Sequence, residues 1–272
     1  MGVSVKDLVS DLKSCGIANG DHVIVHSSLS SIGWVDGGAA ALIEALIQAV
    51  GVEGTTVFPT LTGSEECTPE TPPHYDVMKS TCWTGAVPRT ALAREDGIRS
   101  LHPTHSVKAF GRLAQWLTKG HEDVRTPCGF GSPYDKLADV GGKILLIGVT
   151  QESNTSFHHA EEISGVPYVI QNRPANVEIV DISGSKITIS GTFFHLYGAE
   201  RDYCALEPEM ISRGICTIGK TGAAETKVMD AMRQREFLVN KLLVDPTAVL
   251  KESEKPKWQY DGIERKPDTI TI

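Results

Sequence analysis

Apolar residues at Val5, Leu8, Val9 and Leu12 recur with the period of an amphipathic helix, which Gly16 stops. HVIVH, residues 22–26, is short and continuously apolar at its centre, as a buried strand is. It runs into the hydroxyl- and glycine-rich SSLSSIGWVDGG before AAALIEALIQAV, residues 39–50, restores a helical period. TTVFPT, residues 55–60, is a second strand. Strand, polar loop, helix, strand is a βαβ unit, which predicts an α/β fold whose mixed, mainly parallel central sheet is flanked by helices. Residues 85–96 are helical in pattern, HSVKAFG (105–111) is a strand leading to a helix at 113–119, and KILLIGV is the clearest core strand. Past Pro174, VEIVDI and KITISGTFF flank SGS, a small antiparallel hairpin excursion at about residues 175–195. Residues 199–213 and 223–243 again have a helical period, and a polar tail at about 247–272 reads as pendant. Without repeats or a linker, the pattern predicts one domain over residues 1–272.

Residues 62–83 break the pattern. They are rich in proline, threonine and acids, with Glu65, Glu66, Glu70 and Asp76 set against Lys79 alone. So long a loop is a lid or binding element, or else a solvated excursion. As a lid it suits a cationic ligand, with Glu65, Glu66 and Asp76 as candidate contacts. The whole chain leans the same way: Lys+Arg 26 against Asp+Glu 34 gives a net charge of -8. That balance disfavours nucleic acid and anionic membrane as partners. The six cysteines are scattered with no CxxC spacing, the first residues lack the apolar core of a signal peptide, and no apolar run approaches a membrane span. Reduced thiols in the cytoplasm are expected.

Three stretches carry candidate chemistry. The serine-rich loop between the first strand and its helix offers hydroxyls, backbone N–H groups and a helix N-terminus to amide and phosphate oxygens, although a turn that merely caps the helix has the same look. RSLHPTHSVKAFG adds Arg99, His102 and His105, arginine being suited to bidentate phosphate contact. GICTIGKT, residues 214–221, fits the GxxxxGK[ST] phosphate-loop spacing. Its first glycine ends a charged helical segment, however, and ICTI reads as a strand, so nucleotide hydrolysis is set aside. SNTSFHHAEE, residues 153–162, follows KILLIGV: Ser153, Asn154 and Thr155 can cap a helix that starts at Phe157. His158 and Glu161 then share one face within mutual reach, while His159 points about 100° away. The pair is an acid–base dyad or the polar start of an ordinary helix. The stretch does not put two histidines on one face, so no metal is expected.

In order and spacing, VHSSLSSIGWVDGG, RSLHPTHSVKAFG, GFGSPYDKL ahead of KILLIGV, and SNTSFHHAEE resemble the aminoglycoside 3-N-acetyltransferases, the antibiotic N-acetyltransferase family distinct from GNAT folds. The resemblance covers about residues 8–174, and GKTGAAETKVMD resembles the family's later glycine-containing helix start. It implies acetyl transfer from acetyl-CoA, as cosubstrate, to an amine of a cationic aminoglycoside, and it is compatible with a homodimer. His158 falls on the family's catalytic histidine in its NTxxHxAE pattern and Glu161 on the acid beside it. Ser27, Ser28 and Leu29 fall on acyl-CoA contacts, and Arg99, Ser100, Ser106 and Val107 match RSxHPxxSV, also expected near CoA. His159 departs from the usual aliphatic residue, and residues 174–213 match less closely. The same chemistry on another amine, a non-catalytic acyl-CoA-binding protein, and a metallohydrolase are the alternatives.

Overall fold

The computed structural model describes residues 2–258. Its first half follows the periodicity: α1 (Val5–Ser14), β1 (His22–Ser27), α2 (Gly38–Val50), β2 (Thr55–Pro59), α3 (Ala86–Leu92), β5 (Val107–Gly111) and α4 (Ala114–Thr118), with the two-residue strands β3 (Tyr75–Asp76) and β4 (Ile98–Arg99) between. Then come α5 (Pro133–Asp139), β6 (Lys143–Ile147), α6 (Ser156–Ile163), the hairpin β7 (Ala175–Val180) and β8 (Lys186–Thr192), α7 (Glu207–Ser212), β9 (Cys216–Thr221), β10 (Ala224–Asp230) and α8 (Ala231–Val244). Local signals fix several ends. Ser4 and Asp7 form a reciprocal capping box on α1, and Pro133 follows the Ser132 cap that opens α5.

Among the described residues the main sheet has seven strands in the order β4-β5-β2-β1-β6-β10-β9. It is mixed, and helices cover both faces. Alternate residues of the central strands face opposite ways. Ile24, Ile144 and Leu146 pack with Leu117, Leu137, Ala160 and Leu238 from α4, α5, α6 and α8. Val23, Val25, Leu145 and Ile147 pack with Leu8, Leu42, Leu46 and Val87 from α1, α2 and α3. Truncating one of these fully buried leucines, such as Leu145→Ala, is expected to cost about 2–5 kcal/mol. The hairpin and β3 form a second, three-stranded sheet over Cys67, Val77 and Phe194.

Four expectations need correction. The sheet is not mainly parallel: only β1–β2 and β1–β6 run parallel, while β5, β4, β10 and β9 join antiparallel. Half of the antiparallel pairing involves residues 224–230, which looked helical because buried and exposed positions there do not alternate cleanly. They form β10, and Val228 and Met229 pair with Leu145 and Ile144. Only residues 207–212 of the span 199–213 are α-helical, after a 3-10 turn at Tyr203–Leu206. Nor is the segment after Pro246 pendant as far as it is described: Val249 and Leu250 are core residues, and the Trp258 ring packs on Tyr168. The rest of that predicted tail, 259–272, lies outside the described residues. No helix among the described residues is long and apolar enough to cross a membrane.

Candidate active site

β1 and β6 are adjacent and parallel, so the loops that leave them emerge at the same sheet edge. One is the serine-rich loop and the other leads into α6. They are tied together: Ser28 N–H donates to Ile147 O at 2.9 Å and the Ser31 hydroxyl to Gly148 O at 3.2 Å. The carboxyl edge of parallel strands is where α/β folds place ligands.

At this edge α6 presents His158 and Glu161. The expected cap is formed in part, since Ser156 N–H donates to the Asn154 side chain while Thr155 makes no side-chain cap. The His158 side chain is 27% exposed and Glu161 is 0% exposed, with His158 Nδ1 and Glu161 Oε2 2.6 Å apart. An ionised carboxylate can only accept, so Nδ1 carries a proton, and in the neutral ring the lone pair is then on Nε2. Two further side chains hold Glu161: Arg201 Nε donates to Oε1 at 3.2 Å and the Tyr203 hydroxyl to Oε2 at 2.9 Å. Burial alone would raise the Glu161 pKa. The hydrogen bond and charge of His158, then Arg201 and Tyr203, outweigh it and hold the carboxyl at about 2. Tyr203 stays a phenol, its pKa driven well up by burial and by Glu161. The arrangement ties one imidazole nitrogen to a fixed negative charge and leaves the other for a proton, which is what a general base requires.

The two histidines of the stretch have separate environments. His159 is buried, its Nδ1 2.6 Å from Cys128 O and its Nε2 3.4 Å from Asp135 Oδ1. Glu162 is buried too, accepting from Cys128 N–H and standing 2.6 Å from His195 Nε2. Desolvation pushes its carboxyl up to about 7, so adjacent glutamates on one helix are shifted in opposite directions. Sequence patterns missed Arg201, Tyr203 and His195, all from the 174–213 region that matched the family least. A single arginine or tyrosine there carries no local signal; only the fold brings them to α6.

Ser27, Ser28 and Leu29 line an open cleft of about 730 Å³ with Ser30, Trp34 and the glycines at the start of α2. Gly37 and Gly38 both have positive φ, 89° and 60°, a region that disfavours other residues. No acidic side chain stands in the first turn of α2, and Asp36, just before its cap, accepts from Trp34 Nε1 at 3.1 Å. Arg99, Ser100, Ser106 and Val107 are placed otherwise. All four are buried and lie outside that lining. The Arg99 guanidinium donates to the carbonyls of Val77, Ser80 and Thr60, fastening the later part of the acidic segment to the residue that follows β2. Ser100 Oγ accepts from Val107 N–H and sits 2.9 Å from His121 Nδ1, and Ser106 Oγ bonds Thr60.

In the acidic segment Glu65 and Glu66 are exposed, and Glu65 lies near enough to Tyr197 to help burial raise that phenol. Asp76 accepts from Met78 and Lys79 N–H through its Oδ1. Glu70 pairs with Arg173. The phosphate-loop mimic is β9, an edge strand with Lys220 exposed, as its apolar ICTI predicted.

The chain is 36% identical over 179 residues to aminoglycoside N(3)-acetyltransferase III of Serratia marcescens, covering 60% of this chain and 66% of the relative, slightly under two thirds of its length. It is 31% identical over 264 residues to aminoglycoside N(3)-acetyltransferase VII of Streptomyces paromomycinus, covering 85% and 88%. A structure of AAC-IIIb in binary complex with CoASH superposes with a TM-score of 0.75 at 25% identity, covering 89% of this chain and 97% of that one. A model of the family described as aminoglycoside 3-N-acetyltransferase matches residues 24–242, and the chain belongs to that family.

Proposed function

We propose that this protein transfers the acetyl group of acetyl-CoA to the 3-amino group of an aminoglycoside, with His158 as general base. The observation that carries the reading is the His158–Glu161 contact of 2.6 Å, made by a part-exposed imidazole to a fully buried carboxylate. The amine nitrogen attacks the thioester carbonyl carbon. His158 Nε2 takes the proton the nitrogen sheds, and the C–S bond breaks to release CoA thiolate. Glu161 keeps Nδ1–H in place and balances the imidazolium, while Arg201 and Tyr203 keep Glu161 from turning away. Donor and amine meet at one sheet edge, which supplies the proximity term.

In this reading the cleft lined by Ser27, Ser28 and Leu29 takes acetyl-CoA, whose phosphates suit the first turn of α2, which carries no acidic side chain. The AAC-IIIb complex with CoASH supports a CoA site in the fold. Glu65 and Glu66 would attract a polycationic acceptor, and a cytoplasmic location accords with the donor. The test measures CoA release from acetyl-CoA across aminoglycosides and simple amines, with products located by mass spectrometry and NMR. Acetylation of the 3-amino group is expected. Turnover of simple amines with aminoglycosides inert would move the reading to another acceptor, and absence of any turnover would leave only an acyl-CoA-binding protein.

A further inference from the structure

Behind His158 the fold assembles a cluster that no sequence spacing announces. His105 comes from the loop before β5, Cys128 from the loop before α5, and His195 from the segment after β8. All three are buried, and one ligand atom from each lies within 4.8 Å of the other two. The His105 and His195 rings meet edge to face at 4.4 Å, and His195 in turn touches the His158 ring at 4.6 Å.

Each imidazole has one nitrogen occupied, which frees the other. His195 Nε2 faces Glu162 at 2.6 Å, so with the carboxylate ionised its Nδ1 lone pair is free. His105 Nδ1 lies 3.0 Å from the Thr104 hydroxyl, which can in turn donate to His102 Nδ1, leaving the His105 Nε2 lone pair free. A ligating imidazole whose second nitrogen is held by a carboxylate or hydroxyl is the usual arrangement at metal centres, because the outer partner fixes tautomer and orientation. In the family pattern RSxHPxxSV, His105 occupies a position left free, so the cluster is built partly from a residue the family motif does not specify.

We infer that His105, Cys128 and His195 form a buried two-nitrogen, one-sulfur site for a transition-metal cation, with zinc(II) the best fit. Two imidazoles and a thiolate suit zinc over magnesium or calcium, which take oxygen ligands. Bonds of about 2.0–2.3 Å in tetrahedral geometry require the ligand atoms to close to roughly 3.3–3.8 Å, so the cluster must tighten by about 1 Å. Rotation of the Cys128 and His195 side chains can supply that. The Cys128 thiol proton leaves to solvent as the Zn–S bond forms, and a water completes the fourth position.

The test uses the full-length protein, stripped with a chelator and titrated with zinc chloride or cobalt chloride. One equivalent of tightly bound zinc by calorimetry is expected, together with a thiolate-to-cobalt charge-transfer band in the near ultraviolet. Cys128→Ser should abolish the band, His105→Gln should weaken zinc binding, and Glu162→Gln should weaken it by about 10–100-fold. Circular dichroism of each variant checks folding, and the cobalt spectrum of the parent needs no variant at all. A folded parent that binds no stoichiometric zinc, or one whose cobalt complex lacks the thiolate band, overturns the inference. So does zinc affinity unchanged in folded Cys128→Ser and His105→Gln.

Discussion

Arg201 donates to Glu161 Oε1 across 3.2 Å, from a residue 40 positions further along the chain. This contact and the Tyr203 hydroxyl turn a helix-face pair into a fixed dyad. Tyr203→Phe removes one charge-assisted donor while keeping the ring that stacks on Phe157. It should cost about 1.5–3 kcal/mol of stability by thermal denaturation and lower kcat by roughly tenfold, with acetyl-CoA affinity unchanged. A kcat equal to the parent's would reduce Tyr203 to packing.

Glu161 also makes a statement about acid stability. Its folded pKa of about 2 lies below the unfolded carboxylate value of about 4.3, so its contribution is complete above that value and is lost as pH falls toward 2. The order of magnitude is about 3 kcal/mol. In Glu161→Gln this part of the pH dependence should disappear, on top of a loss at neutral pH from leaving Arg201 buried without its carboxylate. Urea unfolding of parent and variant from pH 5 to pH 2.5 checks it. Parallel curves would mean that the carboxylate is not held ionised by its neighbours.

Ser28 and Arg99, grouped together by the sequence motif match, should now separate. Ser28 lines the cleft, so Ser28→Leu should raise the acetyl-CoA KM more than the acceptor KM. Arg99 is spent on three backbone carbonyls, so Arg99→Ala should lower stability by about 2–4 kcal/mol, with donor affinity of the folded fraction nearly unchanged. Calorimetric titration with CoA distinguishes the two. Weakened CoA binding in a fully folded Arg99→Ala would restore the arginine to the donor site.

The motif's residues were legible, but what each does was not. Periodicity found β1, β2 and β6 because they are buried on both faces and so read as apolar runs. It misread β10, whose buried positions run together at residues 226–229 and imitate a helix. His158 and Glu161 were visible because helical spacing is local. Arg201, Tyr203 and His195 were not, since their approach to α6 is a property of the tertiary fold. Arg99, Ser100 and Ser106 showed the converse: their motif is local, but their buried hydrogen bonds to Val77, Ser80, Thr60, Val107 and His121 are not.

Glu65 and Glu66 are exposed, and neither forms a salt bridge among the described residues, unlike Glu70 and Asp76. Replacing both with glutamine should weaken capture of a polycationic acceptor and flatten the salt dependence of kcat/KM, with acetyl-CoA binding untouched. Steady-state kinetics at low and high ionic strength read this directly. Identical salt dependence in parent and double variant would make the segment a solvated loop.

The central claim is that His158, and not His159, removes the proton from the amine. Single-turnover kinetics with saturating acetyl-CoA and acceptor, on His158→Ala and His159→Ala side by side, tests it most directly. His158→Ala should lose about 10²–10⁴ in rate while CoA still binds, the range for removing a positioned base. His159→Ala should act chiefly through stability, because its ring is buried against Cys128 and Asp135. Near-parental turnover in His158→Ala, with a folded but inactive His159→Ala, would contradict the assignment.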